Sequence, residues 1–117
     1  RFINELEASS GMQMISFGHA GDGNVHLCVV RGGRDEGTWQ RELHANMDAA
    51  YAEAYRLGGV ASGEHGIGLS KRRYFLHETP RENLAVMNAV KTALDPLHIL
   101  NDQKSYIIGG DYHAEAL

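Results

Sequence analysis

From Met14 to Val30 the side chains follow a period of two. Folding the chain back at Asp22-Gly23 puts Ile15, Phe17, His19, His26, Cys28 and Val30 on one face and Met14, Ser16, Val25, Leu27 and Val29 on the other. That period belongs to strands, and Asp-Gly between two β-type runs is among the strongest signals for a two-residue hairpin turn. The turn predicts a register in which Ala20 lies opposite Val25 and His19 opposite His26. Both faces are largely apolar, which predicts a buried hairpin and makes Cys28 a buried, inert thiol.

Further along, the period lengthens. Trp39, Leu43, Met47, Ala50, Ala54 and Leu57 recur at helical spacing and predict a helix from about residue 36 to 57, ended by Gly58-Gly59. Val60-Ala61-Ser62 reads as a short β-like segment. Thr79-Pro80-Arg81-Glu82 has the form of a capping box with proline at the first helical position, and Leu84, Met87, Val90, Lys91 and Leu94 continue the helix to a stop at Asp95-Pro96. At the other end, Phe2, Ile3, Leu6 and Ala8 look like the tail of an amphipathic helix. The order hairpin, helix, strand, helix predicts an α+β fold, an antiparallel sheet with helices packed on one face. His44 falls off its helical stripe, His77 and His98 at helix edges and His113 in a polar tail, so all four are expected to be ordinary surface residues.

Composition narrows the function classes. A chain of 117 residues with 43% hydrophobic content suffices for one domain with a modest core and not for a second full domain. The expected organisation is one domain fragment over residues 1–108 and a tail over 109–117. A net charge of −4 with scattered basic residues argues against nucleic-acid binding. Lys71-Arg72-Arg73, the one basic run, reads as a solvated helix face, with one member able to reach an anionic group. The single cysteine excludes an internal disulfide and suits a reducing compartment. No apolar run approaches the roughly 20 residues of a membrane span. The expected location is therefore cytoplasmic, with peripheral membrane association of a longer protein left open. A start at Arg1-Phe2-Ile3 without an initiator methionine is what a piece of a longer protein would show. Such a piece is expected to pair with itself, as a homodimer, to cover exposed apolar surface.

The candidate chemistry lies in two glycine-rich stretches, Gly18-His19-Ala20-Gly21-Asp22-Gly23-Asn24-Val25-His26 and Gly63-Glu64-His65-Gly66-Ile67-Gly68. Two imidazoles on one face of a hairpin can converge on one metal ion, with zinc, manganese and iron as candidates. They can equally hydrogen-bond to one another or to a backbone carbonyl. The second stretch has neither helical nor strand period and reads as a tight loop whose backbone runs close to something else. If it is extended, Glu64 and His65 point in opposite directions, so that Glu64 completes a His-His-carboxylate site while His65 faces a reacting atom as acid or base. Three protein ligands and an open position describe a catalytic metal site. The plainer alternative has Glu64 capping a helix and His65 merely exposed. Neither glycine pattern has the order or setting of a dinucleotide-binding fingerprint.

These stretches, with Ser62 and Lys71, then Leu94-Asp95-Pro96 and Ile99-Leu100-Asn101 with Lys104, resemble the C-terminal part of the FAD-linked oxidases of the vanillyl-alcohol-oxidase fold type, which include D-lactate, D-2-hydroxyglutarate and glycolate dehydrogenases. The resemblance implies flavin-dependent oxidation of a D-2-hydroxy acid, with a divalent metal, zinc foremost, holding the substrate. By position it makes His19, His26 and Glu64 the metal ligands, His65 the base that takes the hydroxyl proton, and Asn101 a residue near the flavin ring. It implies FAD held mainly by a separate FAD-binding domain of the same longer protein, and an isolated piece without turnover. Two positions depart from the family pattern. Asp102-Gln103 stands before Lys104 where many relatives have Pro-Gly, and Cys28 stands where hydroxyglutarate-type relatives carry an asparagine. The alternative function is a stand-alone metal-binding or regulatory module without oxidation activity. A metal-dependent hydrolase would use the same four residues but leaves the match around Asn101 unexplained.

Overall fold

The computed structural model describes residues 1–101 and 104. Among these, the elements run α1 (Phe2–Ser10), β1 (Met14–His19), β2 (Asn24–Val29), α2 (Glu36–Arg56), α3 (Arg72–Glu78) and α4 (Arg81–Leu94). The fold is α+β, as the alternation of periods predicts. The chain divides into two compact units, Arg1–Gly59 and Val60–Leu117. The expected boundary between a domain at 1–108 and a tail at 109–117 lies outside the described residues.

In the first unit, α1 ends at Gly11, whose φ of 66° and ψ of 14° are the left-handed cap geometry and whose N–H donates to Glu7 O at 2.9 Å. The reversal drives Met12 into the interior, where it is fully buried, and β1 starts two residues later with buried Met14. Asp35 caps α2 by accepting from Thr38 N–H at 3.0 Å, and this bond holds its carboxyl below the usual carboxylate range. Arg34 ties the two helices together, donating from Nη2 to Gly11 O at 2.9 Å and from Nε to Glu42 Oε2 at 2.6 Å. Of the predicted α2 stripe, Trp39, Leu43, Met47, Ala50 and Ala54 are half-buried, and Leu57, just past the helix end, is exposed. The one buried residue of α2 is polar: Asn46 donates from Nδ2 to Glu42 O at 2.8 Å and to Met12 Sδ at 3.2 Å. A buried amide persists here because its donors are satisfied.

The hairpin departs from expectation in two ways. Its register pairs Phe17 with His26, Gly18 with Val25 and His19 with Asn24, two residues away from the predicted alignment. Asp22 N–H closes a turn onto His19 O at 3.0 Å, and Gly23 follows at φ 71°. The connection is thus a four-residue loop, Ala20–Gly23, in which the glycine supplies the left-handed residue after the turn rather than its second corner. The hairpin is also not buried. Ile15, Phe17 and Val25 are 49%, 58% and 70% exposed, and Cys28 is exposed rather than an interior thiol. Within its own unit the sheet packs chiefly against α1, at β1, and Phe17 and Cys28 on one of its faces are exposed.

The second unit is built around Ala61, Tyr74 and Leu84. Val60-Ala61-Ser62 forms no strand, having no ladder partner among the described residues. Thr79 is the C-cap of α3, and α4 starts from Pro80 without a side-chain cap, so the predicted capping box does not form. Pro80 O instead accepts from Asn83 and Leu84 N–H. The basic run is not a freely solvated face. Lys71, Arg72 and Arg73 are half-buried, and the Arg73 guanidinium lies 4.6 Å from the Tyr74 ring centre. Of the predicted α4 stripe, Leu84 alone is interior; Met87, Val90 and Leu94 are exposed. No helix among the described residues is long and apolar enough to cross a membrane.

Candidate active site

The hairpin brings two of the candidate ligands together. A shift of two residues leaves side-chain parity unchanged, so His19 and His26 stay on one face as diagonal rather than direct neighbours. Their ring centres lie 5.5 Å apart at 87°, edge to face, and a ring nitrogen of each lies within 4.8 Å of the other's. Two nitrogens on one tetrahedral zinc ion stand about 3.3 Å apart, given Zn–N bonds of about 2.0–2.1 Å. Small side-chain rotations therefore suffice for both to reach one ion. Phe17, directly opposite His26, packs its ring at 5.1 Å and 31°.

Gly18 makes this arrangement sterically feasible. A Cβ at that position would lie 2.0 Å from Asn24 O, far inside contact distance. Only a glycine lets β2 approach β1 this closely at the position next to His19. The close approach is not evident from the sequence, where Gly18 is one of the glycines of the first candidate stretch.

Glu64 and His65 sit on the loop that opens the second unit. The loop is bent rather than extended at residues 63–65, and Gly66 and Gly68 follow at φ 74° and 56°. Its two side chains accordingly do not diverge as the extended reading required. His65 Nε2 lies 3.5 Å from Glu64 Oε1, with the Glu64 side chain 38% and the His65 side chain 68% exposed. Lys71 closes the loop at its base by donating from Nζ to Ser62 Oγ at 3.0 Å. The carboxylate is thus beside the imidazole rather than capping a helix, and it can orient that ring as well as offer an oxygen to a cation.

Asn101 lies past the end of α4, exposed, with a φ of 49° that asparagine tolerates better than other non-glycine residues. The corner before it is organised by a residue not foreseen as functional. Asp95, 3% exposed, accepts from Ile99 N–H at Oδ1 and Leu100 N–H at Oδ2, both at 3.0 Å, and forms an ion pair with Lys91. The Lys91 hydrogen bond, followed by those from Leu100 and Ile99, holds the Asp95 pKa down to about 2 against the opposing effect of burial. The sequence signal is a Lys four residues before an Asp at a helix end, whereas the predicted α4 stripe takes Lys91 as one of its members. The remaining histidines are as expected where described: His44 and His98 are exposed, and His77 pairs with Glu78 at 2.8 Å. His113, Asp102 and Gln103 lie outside the described residues.

Residues 1–105 match the family of FAD linked oxidases, C-terminal domain. The chain is 39% identical over 103 residues to a D-lactate dehydrogenase of Anaerostipes hadrus, covering 88% of this chain and 22% of that protein. It is 36% identical over 104 residues to glycolate oxidase subunit GlcD of Bacillus subtilis, covering 89% and 22%. It is 37% identical over 92 residues to the mitochondrial D-2-hydroxyglutarate dehydrogenase of Danio rerio, covering 79% and 16%. The chain thus spans about a fifth of the length of these relatives. Matched over nearly its whole length, it belongs to the family of FAD-linked oxidase C-terminal domains.

Proposed function

We propose that the chain is the substrate-side part of a flavin-dependent dehydrogenase that oxidises a D-2-hydroxy acid of the lactate, glycolate or 2-hydroxyglutarate class to the 2-oxo acid. The observation that carries the reading is the histidine pair, whose nitrogens lie within 4.8 Å on one face of a hairpin exposed at that end. The similarity to D-lactate, glycolate and D-2-hydroxyglutarate enzymes supports it. In this reading His19, His26 and Glu64 hold one divalent cation, zinc foremost. Two neutral imidazoles and a carboxylate are a donor set that suits zinc and leaves a position open for substrate. Bound there, the cation supplies a Lewis acid that grips the 2-hydroxy acid and makes its hydroxyl more acidic.

His65 takes the hydroxyl proton on a ring nitrogen while the C2 hydrogen departs as hydride, so that the C–O bond becomes the carbonyl of the 2-oxo acid. FAD, held mainly by a separate domain of the same longer protein, supplies the hydride acceptor when bound. Asn101 contributes a side chain on the flavin side. Apolar Leu94, Leu97, Ile99 and Leu100, all exposed around that corner, supply surface for the FAD-binding domain to cover.

Elemental analysis of the purified chain, with His26→Ala in parallel, tests the ligand assignment. Near-stoichiometric zinc, manganese or iron that is lost in the variant is the expected result. Flavin-dependent turnover of D-2-hydroxy acids by the FAD-loaded protein, abolished by His65→Gln, tests the reaction. Metal uptake without turnover would return the chain to a metal-binding or regulatory module.

A further inference from the structure

The Asp95 corner holds the backbone that leads into Asn101 more tightly than an ordinary helix stop requires. Asp95 N–H continues the helix onto Lys91 O at 2.8 Å, and His98 N–H returns to Asp95 O at 3.1 Å, which would already end α4. Beyond that, both backbone groups of Leu100 are held by charged side chains. Its N–H donates to the Asp95 carboxylate at 3.0 Å, and its carbonyl accepts from Lys91 Nζ at 2.8 Å. Ile99 N–H takes the other carboxylate oxygen at 3.0 Å. Asn101 is the next residue, and its φ of 49° is a backbone state that costs energy for any side chain but glycine and persists only where the surroundings impose it. Leu97, Ile99 and Leu100 themselves are exposed, so apolar packing within the described residues does not impose it.

We infer that the Lys91–Asp95 pair acts as a positioning device for Asn101, holding Ile99 and Leu100 so that the asparagine is presented to the flavin side in one conformation. This rests on the reading of Asn101 as the flavin-side residue. Asp95 and Lys91 act through that residue and touch neither substrate nor cofactor. Charge-assisted hydrogen bonds suit the task, being stronger and more directional than neutral ones.

The test is a double-mutant cycle in the FAD-loaded holoenzyme with two readouts, kcat against KM and the visible absorption band of the bound flavin. Asp95→Asn keeps the shape and removes the charge. It should lower kcat about tenfold through misplacement while leaving KM for the hydroxy acid within about twofold. It should also shift the flavin band in the same direction as Asn101→Ala. Added to Asn101→Ala it should change neither readout further, because the two residues act as one unit. If Asp95→Asn does not yield folded holoenzyme, Lys91→Gln carries the same test, and Lys91→Arg should restore both readouts. Additive effects of Asp95→Asn and Asn101→Ala, or an unchanged band and kcat in a folded Asp95→Asn, would overturn the positioning role while leaving the Asn101 reading intact. An Asn101→Ala variant with unchanged band and kcat would overturn the Asn101 reading, and the positioning role with it.

Discussion

The two stretches that carry the candidate donors are held by different means. His19 and His26 hang from a hydrogen-bonded ladder, where alternation alone assigns them to one face and Gly18 lets the strands close beside them. Glu64 and His65 hang from a loop without a ladder, bent at glycines of positive φ and closed by one side-chain tie from Lys71 to Ser62. A ladder tolerates error: moving the register by two residues changes His26's partner from His19 to Phe17 yet keeps both imidazoles on one face. The loop has no such redundancy. One bend turns Glu64 and His65 from opposite directions to a separation of 3.5 Å. Ligand placement should therefore be robust on the hairpin and fragile on the loop, and substitutions in each can test that contrast.

The largest effect is expected on the loop. His65→Gln keeps a polar group of similar size but removes the proposed base, and kcat on a D-2-hydroxy acid should fall about 10²–10⁴-fold with metal content unchanged. Metal loss in the variant would show instead that His65 is itself a ligand. On the hairpin the weak point is steric rather than chemical. Gly18→Ala forces a Cβ to within 2.0 Å of Asn24 O, so the strands must separate. Overpacking against backbone should cost about 3 kcal/mol in urea unfolding. Zinc uptake should weaken in parallel, although no ligand has been removed. An alanine variant of ordinary stability that binds zinc normally would mean that the ladder does not hold the histidines in place. A smaller effect belongs to the tie. Lys71→Met should lower kcat several-fold and cost about 1 kcal/mol, as loss of a single charged hydrogen bond at a half-buried site does. Ser62→Ala should reproduce it.

What could be read from the sequence follows the same division. Where a repeating period assigns side chains to a face, the reading holds. The period-two run gave the hairpin and its histidine face, and the helical stripe from Trp39 to Ala54 gave α2 within a residue or two. Burial could not be read in the same way. Ile15, Phe17, Val90 and Leu94 have the spacing of core residues and are exposed, because spacing reports which residues share a face and not whether anything covers it. Positions set by a single contact were not readable either. Asn46 is buried because Glu42 O and Met12 Sδ accept from it, and Gly18 is required because Asn24 O stands where its Cβ would be. Met12 Sδ and Asn24 O cannot be identified as neighbours without the tertiary structure. The Glu64-His65 loop combines both cases: its residue types indicate the chemistry, and only the 3.5 Å between Glu64 Oε1 and His65 Nε2 shows that the two side chains meet.

The Asp95 corner shows a third way of holding a residue, by buried charge. The Asp95 pKa is about 2 when folded, against an ordinary value of 3.8, because Lys91 and two backbone N–H groups stabilise the carboxylate. A group whose pKa falls on folding stabilises the folded state in full above the unfolded value and loses that contribution as the pH drops through the folded one. Wild-type protein should therefore melt at a higher temperature than Asp95→Asn at pH 5 to 7. The gap should narrow between about pH 4 and pH 2, where the wild-type carboxyl takes up its proton. Thermal melts of both proteins across that range measure the gap directly. No gap, or a gap independent of pH, would mean that ionisation of Asp95 does not stabilise the corner.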